Sequence, residues 1–469
     1  MYSSSSSNFS LITTYISYLL LIFIGYINDL ANKLFRYKKC NEIPILSDLQ
    51  SFYCRNCEKR ILDCVNFPIK GKPGRLINVV ERKVFKRSEE LQLTGKIMPL
   101  INFGSYNYLG FGVTSPKLLK KLHQAIDNNP INIAACPRDI GRHKLLRKLE
   151  KSMADFLHKE ACIVFPMGYG TNTSNIPCLL NEGTLVYSDI LNHASIITGL
   201  KMGKATVKTF KHNDMEDLEK RLVYDISQGQ PITHRSWRKI IVIVEGIYSM
   251  EGTILKLPEL VALKKKYKFY IFIDEAHSIG ALGKTGRGVC EHHNVDFGDV
   301  DILMGTFTKS FAGMGGYIAA SKKIVDHFRI YSDFTRFGEQ MTPVVATQIL
   351  ECLKIIKDTK IGTNKLKRLH RNVNLMRNGL NKIGLFVLGD DSSPVIPIII
   401  SHPAKLCELS RLCREEGIGV VIVGYPGAPI LYGRVRLCMS SSHSKKDIER
   451  TLDVLEKASK LLGFRVNNK

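Results

Sequence analysis

No charged side chain occurs in residues 1–28 of this 469-residue chain. Within that span the stretch LITTYISYLLLIFIGYI (11–27) has the composition of a membrane anchor, with a buried core helix as the alternative. A basic start and a small-residue cleavage site are missing as well, so a cleavable signal peptide is not expected. At ~1.5 Å per residue the apolar run reaches about 25 Å against a hydrocarbon core of ~30 Å, enough to span a slightly thinned bilayer or to lie in its interface. Lys33, Arg36, Lys38 and Lys39 follow it, which puts the rest of the chain on the cytosolic side.

Acids are the minority charge, with 43 Asp and Glu against 67 Lys and Arg, a formal net charge of +24. Such a balance suits a nucleic acid, an anionic membrane or a polyanionic substrate, but zinc-finger, RNP and arginine-rich signatures are lacking. The 12 cysteines are scattered as in a reducing compartment rather than spaced as a disulfide framework. Cys54 and Cys57 have the spacing of half a zinc site, but Cys40 and Cys64 around them are badly spaced to complete it, so no metal is expected. There is no internal repeat. An apolar content of 44% is enough for one large or two medium cores.

A further shortage concerns IDEAHSIGALGKTG (273–286), which carries both a DEAH box and a GKT. A phosphate-cradling loop needs a glycine five residues before its Gly-Lys-Thr, and Ser278 stands there. The loop also trails Asp274, whereas it should precede the metal-binding acid. These two faults exclude an ATP-driven motor.

What is present is an alternation of short β-branched runs with helical stretches. The runs are ACIVF (161–165), GTLVYSD (183–189), KIIVIVEG (239–246), YIFIDEAH (270–277) and DILMGTF (301–307). Between them lie amphipathic stretches such as MEDLEKRLVYDI (215–226) and LPELVALKKKYK (257–268). The pattern predicts an α/β fold with a mostly parallel sheet covered by helices on both faces. After about residue 345 a long basic helix, then VIPIII (395–400), IGVVIVG (418–424) and RVRLCM (434–439), predict a smaller α+β domain. The expected organisation is an anchor with a basic flank (1–40), a helical or extended segment (41–100), a large cofactor-binding domain (101–345) and a small C-terminal domain (346–469).

In an open parallel sheet, ligands bind beyond the carboxyl ends of the strands. Asp189 and His193, Glu245, Asp274 and His277, and Thr306, Thr308 and Lys309 all follow such ends. An acid, two histidines, hydroxyls and a lysine are what pyridoxal phosphate uses. A lysine amine holds its aldehyde, and a buried carboxylate keeps its ring nitrogen protonated so that the ring acts as an electron sink.

The runs MGTFTKSFAGMGGYIAASK (304–322), VEGIYSMEG (244–252), FIDEAHSIGALGKTGRG (272–288), YSDILNHASII (187–197) and FKHNDMEDLEK (210–220) resemble the α-oxoamine synthase family. This is a group of fold-type-I, aspartate aminotransferase-like pyridoxal phosphate enzymes, and the likeness extends from about residue 45 to about residue 465. It implies that Lys309 binds the cofactor and serves as base, Asp274 pairs with the pyridine nitrogen, His193 stacks on the ring and His277 bonds the phenolic oxygen. Thr306, Thr308 and the backbone at Gly168 and Tyr169 would hold the phosphate, and Arg436 the amino-acid carboxylate. The implied reaction is a decarboxylating condensation of L-serine with palmitoyl-CoA to 3-ketosphinganine, at the start of sphingolipid synthesis. The implied setting is the cytosolic face of the endoplasmic reticulum, in contact with membrane lipid and with a lysine-less sister subunit. Another amino acid or acyl-CoA, or a noncatalytic role, is the alternative, and the presence of Lys309 speaks against the last.

Two segments depart from the family. INIAACPRDIG (131–141) replaces a glycine- and serine-rich stretch, with Leu146 where a histidine is expected and His143 displaced. RFGEQMTP (336–343) lacks the hydroxyls expected near a neighbouring subunit's cofactor phosphate. Both changes point to an altered partner, or to one working site per heterodimer.

Overall fold

The structure is a computed structural model that describes residues 8–35, 52–53, 56–84, 91–358, 360–425 and 427–465. Its first element is α1 (Asn8–Phe35). Within it Ile12–Ala31 forms a 20-residue apolar stretch of mean hydropathy 1.4, long enough to cross a membrane. Most of its surface is exposed, but one stripe is engaged: Tyr18 packs with Tyr53 and Cys57, and Ser17 Oγ lies 2.9 Å from His402 Nε2. Arg36, Lys38 and Lys39 of the expected basic flank lie outside the described residues, as do Cys40 and Cys54.

Next come β1 (Ile69–Lys70), β2 (Leu76–Val84) and β3 (Leu91–Asn102), paired antiparallel in sequence order. β3 also pairs in parallel with Ile418–Gly419 (β12), which ties the N-terminal hairpin to the C-terminal part of the chain.

The central sheet has seven strands: β4 (Ala161–Phe165), β5 (Thr184–Asp189), β6 (Thr206–Phe210), β7 (Lys239–Glu245), β8 (Tyr270–Asp274), β9 (Ile302–Thr306) and β10 (Gly316–Ala320). Their order is β4-β10-β9-β8-β7-β5-β6, parallel throughout except for β10, which runs antiparallel to both neighbours. β5, β9 and β10 are buried along their whole length, as expected of strands covered on both faces. Apolar side chains fill one core on each side of the sheet, around Val242, Ile271 and Leu303 on one face and Ile243, Phe272 and Met304 on the other.

Helices α2 (Pro116–Asn128), α3 (Lys144–Phe156), α4 (Gly168–Asn175), α5 (Ala194–Met202), α6 (Met215–Gln228) and α7 (Leu257–Tyr267) occupy the connections. Two of these helices show the cause of their start. Ser115 caps α2 through a bond from Leu118 N, with Pro116 in the first turn, and Asp214 caps α6 through Asp217 N. The expected long basic helix is two helices, α8 (Pro343–Lys357) and α9 (Ile361–Ile383). They part where Asp358 Oδ1 accepts from Lys360 N and Ile361 N, a cap that starts the second helix.

The remaining sheet joins β11 (Val395–Ile399), β14 (Arg434–Cys438) and β13 (Val421–Val423), backed by α10 (Pro403–Glu415) and α11 (Lys445–Leu462). Its apolar face forms a separate core with α9, around Val373, Leu437 and Leu455.

Candidate active site

The GKT of the sequence closes on the protein's own acids rather than on a phosphate. Glu291 accepts from Thr285 N, Arg287 N and, at 2.6 Å, Thr285 Oγ1. Glu275 of the DEAH box accepts from Val289 N and from Ser278 Oγ, and burial pushes its carboxyl up to about 7. Gly283 and Gly288 have positive φ, and a Cβ on either would strike one of these carboxylates. The turn is thus an internal clasp that fixes the chain just beyond β8.

The parallel register aligns the carboxyl ends, with Glu245 opposite Asp274 and Asp274 opposite Met304. Antiparallel β10 starts at the same edge, where Gly316 pairs with Thr306 and with Phe165. Asp274 is held from two sides: Oδ1 accepts from Ala276 N at 2.9 Å, and Oδ2 from Asn172 Nδ2 at 2.8 Å. Asn172 also donates to Ser195 Oγ, which lies 2.7 Å from His193 Nδ1. Asp274, α4 and α5 are therefore tied into one polar chain.

His193 caps α5. Ser195 N–H donates to His193 Nδ1 at 3.2 Å, so that nitrogen is bare and the neutral ring carries its proton on Nε2. Burial lowers the pKa of this ring, with Lys309 adding to the effect against the pull of Asp274. The His193 backbone N–H donates to Glu245 Oε1 at 2.6 Å. Burial, reinforced by Asp274, lifts the Glu245 carboxyl well above its usual range.

His277 is buried, and desolvation together with Lys309, Arg436 and His193 pulls its pKa well below the ordinary value. Its one proton can be placed. Tyr108 is fully buried, and its hydroxyl lies 2.7 Å from His277 Nδ1. Burial keeps that phenol protonated, and His277 is the partner within its reach among the described residues. The phenol donates to Nδ1, which leaves Nε2 as an N–H donor.

Lys309 follows β9 and is partly buried. Desolvation, aided by Arg436 and opposed by Asp274 and Glu245, brings its amine down to about 8. Tyr106 links it to the rest of the site. The Tyr106 ring has Lys309 Nζ at 5.6 Å, Arg436 Cζ at 4.9 Å and the His277 ring at 5.1 Å.

Arg434 and Arg436 point the same way from β14 but differ in satisfaction. Arg434 is fully engaged, bonding Met250 O at 2.7 Å and Glu251 Oε1 at 3.2 Å. Apart from Tyr106, Arg436 makes long contacts of 3.5 Å to Ser249 O and Met250 Sδ, and its buried Nε has no partner among the described residues. A fork left open beside a lysine and two neutral histidines is a place for a carboxylate.

Gly168 begins α4 so close to Thr306 that a Cβ would sit 3.0 Å from Thr306 Cγ2. Thr308 Oγ1 donates to Thr306 Oγ1 at 3.2 Å, and exposed Tyr169 bonds Thr198 Oγ1 at 3.0 Å. A helix start, two hydroxyls and a close glycine approach suit a phosphate. These features fit pyridoxal phosphate: an amine brought down to about 8, a carboxylate braced on both sides, neutral imidazoles and an open phosphate cradle. Among the described residues no group of three or more His, Cys, Asp or Glu is placed to hold a metal.

Sequence reasoning did not single out Asn172, Ser195, Tyr106 or Tyr108. The available signal was polar residues at buried helical spacing in FPMGYGTN and the paired tyrosines of SYNYLG. The two departing segments prove to be clipped together. Gln340 Nε2 donates to Gly141 O at 2.6 Å, its Oε1 accepts from His143 N at 3.2 Å, and Arg138 N donates to Thr335 O. Leu146 belongs to the core and His143 caps α3.

A family model for aminotransferase class I and II matches residues 98–455. Long chain base biosynthesis protein 2b of Arabidopsis thaliana is 42% identical, covering 97% of this chain and 94% of its own length. Serine palmitoyltransferase 2 of Dictyostelium discoideum is 43% identical over 96% and 94% respectively. A solved SPT structure with its PLP internal aldimine superposes with a TM-score of 0.77 at 24% identity, covering 89% of this chain and 100% of that one, and supports the fold.

Proposed function

The chain belongs to the class I and II aminotransferase family, and from that premise we propose that it is the catalytic subunit of a serine palmitoyltransferase. It would condense L-serine with palmitoyl-CoA to 3-ketosphinganine, carbon dioxide and free CoA, the first step of sphingolipid biosynthesis. The observation that carries this reading is Lys309, an amine brought down to about 8, set beside Asp274, His277 and the unfilled fork of Arg436.

Pyridoxal phosphate would supply an electron sink that acidifies the serine α-carbon. Lys309 would bind it covalently, Asp274 would face its ring nitrogen, His193 its ring and His277 its phenolic oxygen. Thr306, Thr308 and the backbone of Gly168 and Tyr169 would hold its phosphate. Arg436 would hold the serine carboxylate with its planar guanidinium. Once the serine amine has displaced it from the cofactor, Lys309 Nζ, neutral in an appreciable fraction near pH 8, would take the α-proton. The α-carbon then attacks the palmitoyl thioester and CoA leaves. The serine carboxylate departs as carbon dioxide, and the Lys309 ammonium returns a proton to the same carbon. Neutral His277 donates from Nε2 throughout, in the tautomer that Tyr108 sets.

The apolar α1 supports anchoring in the endoplasmic reticulum membrane, where the acyl substrate and the product both partition. The altered segments 131–141 and 336–343 support a heterodimer with the lysine-less long-chain base subunit 1 rather than a homodimer. Co-expression of the two subunits, followed by mass spectrometry of product from L-serine and palmitoyl-CoA, is the test. 3-Ketosphinganine should form with the wild-type chain and not with Lys309→Ala. Product from the variant, or a different ketone from the wild type, would overturn the reading.

A further inference from the structure

Cations line the outer side of α2 and α3. α2 exposes Lys117, Lys120 and Lys121, while α3 exposes Lys144, Arg147, Lys148 and Lys151. Each set follows the three- and four-residue helical spacing, so it forms a stripe along one face. The opposite faces bury Leu118 and Ala125 in α2, and Leu149 and Met153 in α3. α8 packs on both helices and adds exposed Lys354 and Lys357. α9 follows, with no Asp or Glu between Ile361 and Ile383.

Two features set these stripes apart from an ordinary solvated face. Like charges at this spacing weaken a helix, and cations in a first turn oppose its dipole. Neither α2 nor α3 has an acid in its first turn, and their exposed acids, Asp127 and Asp155, lie at the far ends. Among the described residues the striped cations make no ion pairs. By contrast, Lys264, Lys265 and Lys266 of α7 reach Asp301, Asp299 and Glu219.

We propose that the α2–α3 face docks on the anionic phospholipid headgroups of the membrane that holds α1. The inference rests on the anchor reading of α1 given above. Unpaired lysines suit a dense array of phosphates and carboxylates. Nucleic acid fits less well, because the four helices expose no Phe, Tyr or Trp for base stacking.

The experiment is lysine footprinting with an amine-acetylating reagent, read by peptide mass spectrometry. It uses the full-length chain with its sister subunit in nanodiscs of phosphatidylcholine alone or with added phosphatidylserine. Acetylation of Lys120, Lys121, Lys148 and Lys151 should slow several-fold in the anionic discs and recover at high salt, while Lys264, Lys265 and Lys266 stay unchanged. The combined variant K120Q/K121Q/K148Q/K151Q, which relieves repulsion and so should fold normally, should lose the slowing at Lys117 and Lys144. Equal rates in the two discs would overturn the proposal, as would protection by RNA but not by anionic lipid. Failure to enter any disc counts against the anchor instead, and the same comparison with phosphatidylserine vesicles then decides the basic face.

Discussion

At the scale of single residues, the chemistry depends on protons whose positions the packing dictates. Tyr108→Phe removes the donor to His277 Nδ1 and lets the ring proton move there. Pyridoxal phosphate affinity should fall about 10-fold by fluorescence titration, from the loss of roughly 1–1.5 kcal/mol of hydrogen bonding. Added to His277→Gln the same change should cost little more, because both act through one bond. Asp274→Asn keeps the shape but removes the charge, and serine α-proton exchange should slow by orders of magnitude in an NMR assay. Lys309 lies below its unfolded value of 10.5, so the unfolded chain binds more protons between about 8 and 10.5 and stability rises with pH across that window. Lys309→Met should therefore stabilise the cofactor-free protein by about 1–3 kcal/mol at pH 7, a gain that fades above about pH 10 in denaturant titrations. Motifs such as TFTKSF and DEAHS made Lys309, Asp274 and His277 legible in the sequence. Asn172, Ser195 and Tyr108 were not, since their parts come from contacts between segments far apart in the chain.

At the scale of elements, the β-branched strands of the central sheet could be read to within about three residues, whereas IGVVIVG (418–424) divides into β12 and β13 of two different sheets. Three features escaped for physical reasons. β10, GYIAA, is glycine- and alanine-rich and is a strand because two neighbours pair with it. β6, TVKTF, alternates polar and apolar at the sheet edge. The break between α8 and α9 depends on a side-chain cap at Asp358. The departing segments also act at this scale. Gln340 is the clip between them, so Gln340→Ala should cost about 1–2 kcal/mol of stability by losing two bonds. It should also speed proteolysis within residues 131–143 in a limited-digestion assay. Unchanged digestion would mean that the two segments hold their positions independently.

At the scale of the whole molecule, a family resemblance and a strand-end pattern pointed to the same sheet edge, and the N-terminal hairpin meets the C-terminal part of the chain where β3 pairs with β12. The anchor and the catalytic edge are separable in this arrangement. Deleting residues 1–40 should weaken membrane association in a flotation assay while leaving cofactor binding intact, because no site residue lies there. Expressed alone, the chain should condense serine poorly, and a purified homodimer with robust activity would refute the need for a partner. The most direct measurement of the central claim is borohydride reduction of the purified complex, with peptide mass spectrometry to locate the phosphopyridoxyl group. The expected result is modification at Lys309, lost when L-serine is added before the reductant. A group on another lysine, no group at all, or indifference to serine would contradict it.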